Sequence, residues 1–125
     1  MSAELRGVVL AHGELAGAMV AAAEEISGVH DALLPVSNSG CDRARLEERL
    51  SNAIAGRQAL VFVDLPSGSC FIAAMRAIGS LGPDVRVVTG TNLSMLIDFL
   101  FHRTLSLDEA ATRAGDMGVR AIGER

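Results

Sequence analysis

The sequence predicts an α/β fold with an open parallel sheet of strand order 2-1-3-4 and helices on both faces. Short apolar runs alternate with longer segments whose apolar residues recur at helical spacing, which is typical of parallel sheets. The run Ala59–Asp64 is apolar up to its last residue, as expected for a strand covered on both faces. Right-handed crossovers leave few strand orders, and 2-1-3-4 is the one we expect. The 125 residues fit a single domain.

The first half of the chain contains two strands, each followed by a helix. The strands are predicted over Arg6–Ala11 and Asp31–Val36, where apolar residues predominate. The helix between them, Glu14–Ser27, carries apolar residues at helical spacing. The second helix follows Asp42, a residue type that caps helix N-termini well, and it ends at Gly56.

The second half continues the alternation after the Ala59–Asp64 strand. A helix over Ser69–Leu81 leads through a Gly-Pro turn to a strand over Val85–Thr89. A helix from Leu93 to Arg103 follows. Ser106 and Glu109 form a capping box that opens a last short helix. The tail Gly118–Ile122 is predicted to be a short final strand.

Composition excludes several functional classes. A net charge of −4 and the absence of Tyr and Trp argue against nucleic-acid binding. The basic residues are all Arg, so the Lys of a Walker loop or of a pyridoxal enzyme is missing. Two cysteines without a C-x-x-C motif favour a reduced, cytoplasmic location. No apolar stretch predicts a membrane span, and the first residues do not resemble a signal peptide.

A histidine and an aspartate end the two central strands of the predicted sheet. His12 directly follows the first strand and Asp64 ends the third. Because these strands are neighbours in the 2-1-3-4 order, about 4.8 Å apart, we expect the two side chains to meet at the sheet's carboxyl edge. A carboxylate that accepts a hydrogen bond from one ring nitrogen leaves the other free to attack. The alternative is a packing role for His12 and a turn-capping role for Asp64.

The turn after the third strand is a candidate phosphate site. Ser67, Gly68 and Ser69 directly precede a predicted helix. The first N–H groups of a helix are unpaired and its dipole favours negative charge, so this turn could hold an anion. The alternative is an ordinary helix start, since Ser and Gly are common there.

The remaining Cys and His residues give weaker signals. Cys70 is either a helix N-terminal thiol of lowered pKa or a buried, inert one. His30 and His102 show no metal-ligand spacing with each other or with Cys41, so no metal and no cofactor are expected.

Three segments together resemble a known family. Gly7–Gly13, Phe62–Ser69 and Val88–Leu96 are similar to the IIA domain of the mannose/fructose/sorbose class of the bacterial phosphoenolpyruvate-dependent sugar phosphotransferase system. The resemblance implies a phosphotransferase component in which His12 accepts a phosphoryl group from the carrier HPr and passes it to a IIB domain for sugar uptake. It implies Asp64 as the partner of His12. It also implies a homodimer in which the C-terminal strand is exchanged.

The sequence also departs from that family. Ser67 and Cys70 replace a Gly and a Pro of the usual turn, and Ser94 stands where Pro is common. A stand-alone regulatory phosphocarrier therefore stays open, as does the phosphotransfer subunit of dihydroxyacetone kinase. A third interpretation, from another class, is a small hydrolase with Cys70 or Ser69 as nucleophile and His12 as base.

Overall fold

The computed structural model describes residues 4–125 of the chain. Within them, four strands alternate with five α-helices, and a short 3-10 helix over Gly82–Asp84 precedes the last strand. The elements in order are β1 Arg6–Ala11, α1 Leu15–Ser27, β2 Leu33–Ser37, α2 Arg43–Ile54, β3 Ala59–Val63, α3 Gly68–Leu81, β4 Val85–Thr89, α4 Leu93–Leu100 and α5 Leu107–Arg120. None of the helices in this part of the chain has the length and apolar character needed to cross a membrane.

The four strands form one parallel sheet of order β2-β1-β3-β4. The predicted strand order is therefore confirmed. β1 and β3 are the central strands, and Leu10 of β1 is level with Val63 of β3. Both strands thus end at the same edge of the sheet, within one residue of each other.

Helices cover both faces of the sheet, and alternate residues of the central strands face opposite layers. Val9 and Phe62 belong to the apolar cluster beneath α1, α4 and α5, whereas Val8 and Val61 belong to the cluster beneath α2 and α3. This period of two explains why the central strands are apolar throughout. The ring of Phe62 packs edge-on against Phe99 of α4, with centroids 5.2 Å apart.

The strand predicted over Gly118–Ile122 is not formed and requires a correction. Within the described residues, α5 continues through Arg120 and no strand follows it. Gly118 lies on the buried face of this helix, where a Cβ would collide with Met95 of α4. The Asn92 Nδ2 group donates to the Gly118 carbonyl at 3.0 Å. Contacts with α4 thus hold the segment as helix, and exchange of a C-terminal strand in a dimer stays a prediction.

Several element boundaries also differ from the sequence prediction, most of them by one or two residues. The second strand begins at Leu33 and not at Asp31, because Asp31 has a φ of 64°, which no strand residue adopts. The fourth helix ends at Leu100, three residues before the predicted Arg103. None of these differences changes the sheet order or the edge at which the strands end.

We predict that Phe62→Ala lowers the free energy of unfolding by about 3–5 kcal/mol, because it removes a large, fully buried ring from the central strand. Urea denaturation followed by circular dichroism measures this. The matched control is Phe101→Ala, since Phe101 is 59% exposed, and its effect should stay within about 0.5 kcal/mol. Equal losses in the two variants would contradict the assigned core.

Candidate functional site

The ends of the two central strands bring His12 and Asp64 together. β1 and β3 run parallel with Leu10 beside Val63, and the Asp64 N–H donates to the Leu10 carbonyl at 3.3 Å. Asp64 is therefore the first residue beyond β3 and His12 the first beyond β1. Their side chains meet above this edge, as the order of elements predicts.

The Asp64 carboxylate is held by three hydrogen bonds. Its Oδ2 atom accepts from the backbone N–H of His12 at 3.0 Å and lies 2.8 Å from the ring Nδ1 of the same residue. Its Oδ1 atom accepts from the backbone N–H of Leu65 at 2.9 Å. Both carboxylate oxygens are thus engaged, and the His12 ring is fixed by the same group that holds its backbone.

These contacts keep Asp64 ionised. Burial by itself acts to raise the pKa of this carboxyl. The hydrogen bonds from the His12 ring, the His12 backbone and the Leu65 N–H, together with electrostatic attraction to the His12 ring, outweigh burial, so the pKa of Asp64 lies below its ordinary value. A negative charge therefore stands beside the imidazole throughout the neutral pH range.

The geometry fixes which nitrogen of His12 is free. An ionised carboxylate accepts and does not donate, so Nδ1 must carry the proton in the 2.8 Å contact with Asp64. The lone pair of the neutral ring is then on Nε2. Within residues 4–125, no hydrogen bond engages Nε2. The side chain of His12 is 41% exposed, whereas that of Asp64 is only 9% exposed. The free nitrogen is thus the accessible part of the pair.

The start of α3 lies next to this nitrogen. A Cβ built on Gly68, the first residue of α3, would be 3.8 Å from Nε2 of His12. Gly68 has a φ of 89°, a conformation that favours glycine. The N-cap residue Ser67 makes no side-chain capping bond, and Ser67, Gly68 and Ser69 are all exposed. The predicted phosphate turn and the predicted nucleophile are therefore neighbours.

Loops on either side hold the site in place, and the sequence analysis did not identify them. The Asn38 side chain accepts from the Gly13 N–H at 3.1 Å, and the Ser37 hydroxyl donates to the Gly13 carbonyl at 2.6 Å. On the other side, the Thr91 hydroxyl donates to the Val63 carbonyl at 2.7 Å. The sequence does carry a signal for all three, because each lies at, or within two residues after, the end of a strand that ends at this edge.

The thiol of Cys70 lies beneath the site and is not a nucleophile there. Cys70 is fully buried in the apolar cluster under α2 and α3. Burial, and after it the negative charge of Asp64, raise the pKa of the thiol to about 11. Because the thiolate is the reactive form, a hydrolase based on Cys70 is disfavoured. No hydrogen bond joins Ser69 to His12 among the described residues.

The other two histidines lie elsewhere. His30 is a surface residue with its ring 3.8 Å from Glu24. The Nδ1 atom of His102 is 2.7 Å from the carbonyl oxygen of Asp98, whose carboxylate pairs with Arg113. Neither ring contributes to the site above β1 and β3.

Comparisons with known proteins give one family and several related structures. The sequence model of the family described as the PTS system fructose IIA component (EIIA-man) matches residues 7–114. No curated protein matches the chain in sequence.

The related solved structures share the fold over almost the whole chain. The mannose/sorbose specific IIA subunit of the phosphotransferase system from Enterococcus faecalis is 24% identical, with a TM-score of 0.86 over 98% of this chain and 96% of that one. Phosphotransferase system component EIIA from Streptococcus agalactiae is 21% identical, with a TM-score of 0.87 over 96% of both chains. The PTS IIA protein associated with the fucose utilization operon of Streptococcus pneumoniae is 21% identical, with a TM-score of 0.76 over 99% of this chain and 96% of that one.

We predict that Asp64→Asn lowers the free energy of unfolding by about 1–3 kcal/mol at pH 7, because hydrogen bonds to a charged, nearly buried carboxylate are lost. Because folding lowers the pKa of Asp64, the ionised carboxylate stabilises the fold. This stabilisation is complete above the pKa of Asp in the unfolded chain, about 3.9, and it is lost as the pH falls through the pKa of Asp64 in the folded protein. The difference between wild type and variant should therefore shrink below about pH 4. Urea titrations from pH 7 down to pH 2.5 measure it, and a difference that does not change with pH would contradict the assignment.

Proposed function

The chain belongs to the family of phosphotransferase-system IIA components, whose model covers residues 7–114, and from this premise we propose that it is a phosphocarrier with His12 as the phosphorylated residue. The membership confirms the resemblance predicted from the three sequence segments. The donor in this proposal is HPr and the acceptor is a IIB domain. The observation that carries it is the His12–Asp64 pair, in which Nδ1 is bound at 2.8 Å and Nε2 is left free and accessible.

The transfer needs a nucleophile with a lone pair directed at phosphorus, and Nε2 of His12 meets that need. As the bond from Nε2 to phosphorus forms, the bond from phosphorus to the donor atom of HPr breaks and its electron pair stays on that atom. The imidazole ring gains positive charge in this step. The Asp64 carboxylate, hydrogen-bonded to Nδ1–H, stabilises that charge without taking the proton.

The same carboxylate helps the second transfer. Asp64 keeps its negative charge because its hydrogen bonds hold its pKa down. The negative charge of Asp64 repels the negatively charged phosphoryl group, so it limits how tightly His12 holds the phosphoryl group. The phosphohistidine then stays able to donate to the IIB domain, so the carrier does not become a trap for phosphate.

The first turn of α3 is the proposed phosphate-binding element. Its unpaired N–H groups and the positive end of the helix dipole favour an anion, typically by about 0.3–1 kcal/mol. Gly68 is the member of this turn next to Nε2, and Ser67 and Ser69 supply exposed hydroxyls beside it. Their roles are positioning and charge stabilisation, which phosphoryl transfer demands most.

Exposed apolar side chains next to the site support a protein as phosphoryl donor. Leu65 directly follows Asp64 and is 52% exposed, and Leu15 opens α1 three residues after His12 and is 45% exposed. Apolar side chains around an accessible nucleophile suit the desolvated centre of a protein–protein interface. HPr and a IIB domain would dock in turn on this one surface.

Two of the three departures from the family pattern lie on the surface on which an acceptor would dock. Ser67 and Ser94 are exposed, so they can change how a partner docks. Cys70 is buried and cannot touch one. Transfer from the phosphorylated protein to a purified IIB domain, compared with transfer to the dihydroxyacetone kinase system, identifies the acceptor. Stable phosphorylation without transfer to either would favour the regulatory alternative.

We predict that the protein gains one phosphate when it is incubated with phosphoenolpyruvate, enzyme I and HPr, and that the gain is acid-labile and base-stable, as for a phosphohistidine. Intact-mass spectrometry measures it. His12→Ala should abolish the gain, because it removes Nε2. The matched controls are His30→Ala and His102→Ala, which leave the site intact and should be phosphorylated as wild type is. Full phosphorylation of His12→Ala would refute the assignment.

We predict that Gly68→Ala slows phosphoryl uptake at least tenfold, because a methyl group is added next to Nε2 at a backbone φ that side chains rarely adopt. The matched control is Gly79→Ala, in the same helix. A Cβ at Gly79 meets nothing within 4 Å, so this variant should transfer normally and gain up to about 1 kcal/mol in stability. Rapid-quench measurement of uptake compares the two, and equal rates would show that the start of α3 takes no part.

A further inference from the structure

A group of three potential metal ligands coincides with the phosphorylation site. One ring nitrogen of His12, a carboxylate oxygen of Asp64 and the Sγ atom of Cys70 all lie within 4.8 Å of one another. Spacing along the chain does not reveal this group, because His12 and Asp64 are 52 residues apart. The residues come from the ends of β1 and β3 and from the first turn of α3, so the sheet edge brings them together.

The donor set is one that zinc prefers. Imidazole nitrogen, thiolate sulfur and carboxylate oxygen are the zinc ligands of proteins, and three protein ligands with an open fourth position are a common arrangement. Calcium and magnesium, which require oxygen ligands, do not fit a group with one nitrogen and one sulfur.

The distances are close to those of a formed site. Zinc bonds of about 2.0–2.3 Å at tetrahedral angles place ligand atoms roughly 3.3–3.7 Å apart. The upper limit of 4.8 Å thus requires ligand atoms to approach one another by up to about 1.1–1.5 Å. Cys70 and Asp64 lie on the buried side, whereas His12 is partly exposed, so its ring moves most once bonds to the metal replace its hydrogen bond to Asp64.

We propose that this group binds a divalent cation of the zinc class, with His12, Asp64 and Cys70 as ligands. As the sulfur–metal bond forms, the S–H bond breaks and its proton goes to solvent. The metal also replaces the proton on Nδ1, the ring nitrogen that faces Asp64, and that proton moves to Nε2. A metal bound here occupies His12, so it competes with the phosphoryl group for this residue. That consequence rests on the proposed function, whereas metal binding itself does not.

The binding test uses Co²⁺ as a spectroscopic substitute for Zn²⁺ and the full chain at pH 7.5. A cobalt–thiolate charge-transfer band in the near ultraviolet, with visible bands of tetrahedral intensity, is expected at one Co²⁺ per chain. Equimolar Zn²⁺ should abolish both. Cys70→Ser should remove the thiolate band, while the matched control Cys41→Ser should retain it. A band that needs Cys41 and not Cys70, or no band at about 1 mM Co²⁺, would overturn the proposal.

A second variant makes the result independent of how Cys70→Ser folds. His12→Asn changes a partly exposed residue, and it should weaken Co²⁺ binding at least tenfold because one ligand is lost. Circular dichroism checks that each variant is folded. Unchanged cobalt affinity in His12→Asn would overturn the assigned ligand set.

Competition is tested with preformed phospho-HPr, so that no other metal-dependent step intervenes. Stoichiometric Zn²⁺ should slow phosphoryl uptake at least tenfold in wild type and in Cys41→Ser, relative to the rate in EDTA. In Cys70→Ser, which lacks one metal ligand, Zn²⁺ should slow uptake by a smaller factor. Uptake unaffected by bound zinc would overturn the competition. The two proposals fail separately: a cobalt band without any uptake in EDTA refutes the phosphocarrier, and uptake without a band refutes the metal site.

Discussion

The site depends on the hydrogen bonds that Asp64 accepts from both the backbone and the ring of His12. One oxygen atom, Oδ2, receives both, at 3.0 and 2.8 Å. The bond from the His12 N–H ties the residue after β1 to the side chain of the residue after β3, and the bond from the ring sets the tautomer. Burial alone would favour the neutral carboxyl, and these same bonds reverse that preference. Fold, ring orientation and charge are therefore maintained by one carboxylate.

Sheet topology explains why residues so far apart in sequence meet at all. In the order β2-β1-β3-β4, the crossover from β2 to β3 makes β1 and β3 neighbours, and their parallel direction ends both at one edge. Because α3 begins four residues after Asp64, the loop that supplies the carboxylate also delivers a helix N-terminus. The proposed nucleophile, its orienting group and the proposed anion-binding turn thus follow from two strand ends and one short loop.

The sequence predicts those features whose signal lies within a short stretch of the chain or in the order of such stretches. His12 and Asp64 were predictable because each directly follows an apolar run, and the order of runs implies the sheet. The strand prediction for Gly118 is wrong because contacts with Met95 of α4 and with Asn92, the N-cap of α4, hold this residue in α5, and a pattern within Gly118–Ile122 alone does not show these contacts. The hydrolase interpretation already places Cys70 near His12, but the sequence leaves the burial of the thiol open, because that depends on the path of the loop after β3.

The unequal exposure of His12 and Asp64 fits the proposed transfer from a protein donor. If both side chains were exposed, water would compete for the Nδ1–Oδ2 hydrogen bond and the ring would lose its fixed orientation. If both were buried, a folded donor could not bring phosphorus to Nε2. With Asp64 at 9% and His12 at 41% exposure, the orienting contact is shielded while the reactive atom is open. The proposed metal would compete by changing the ring itself: bound at Nδ1, it would put the proton on Nε2 and remove the lone pair that the proposed phosphoryl transfer requires.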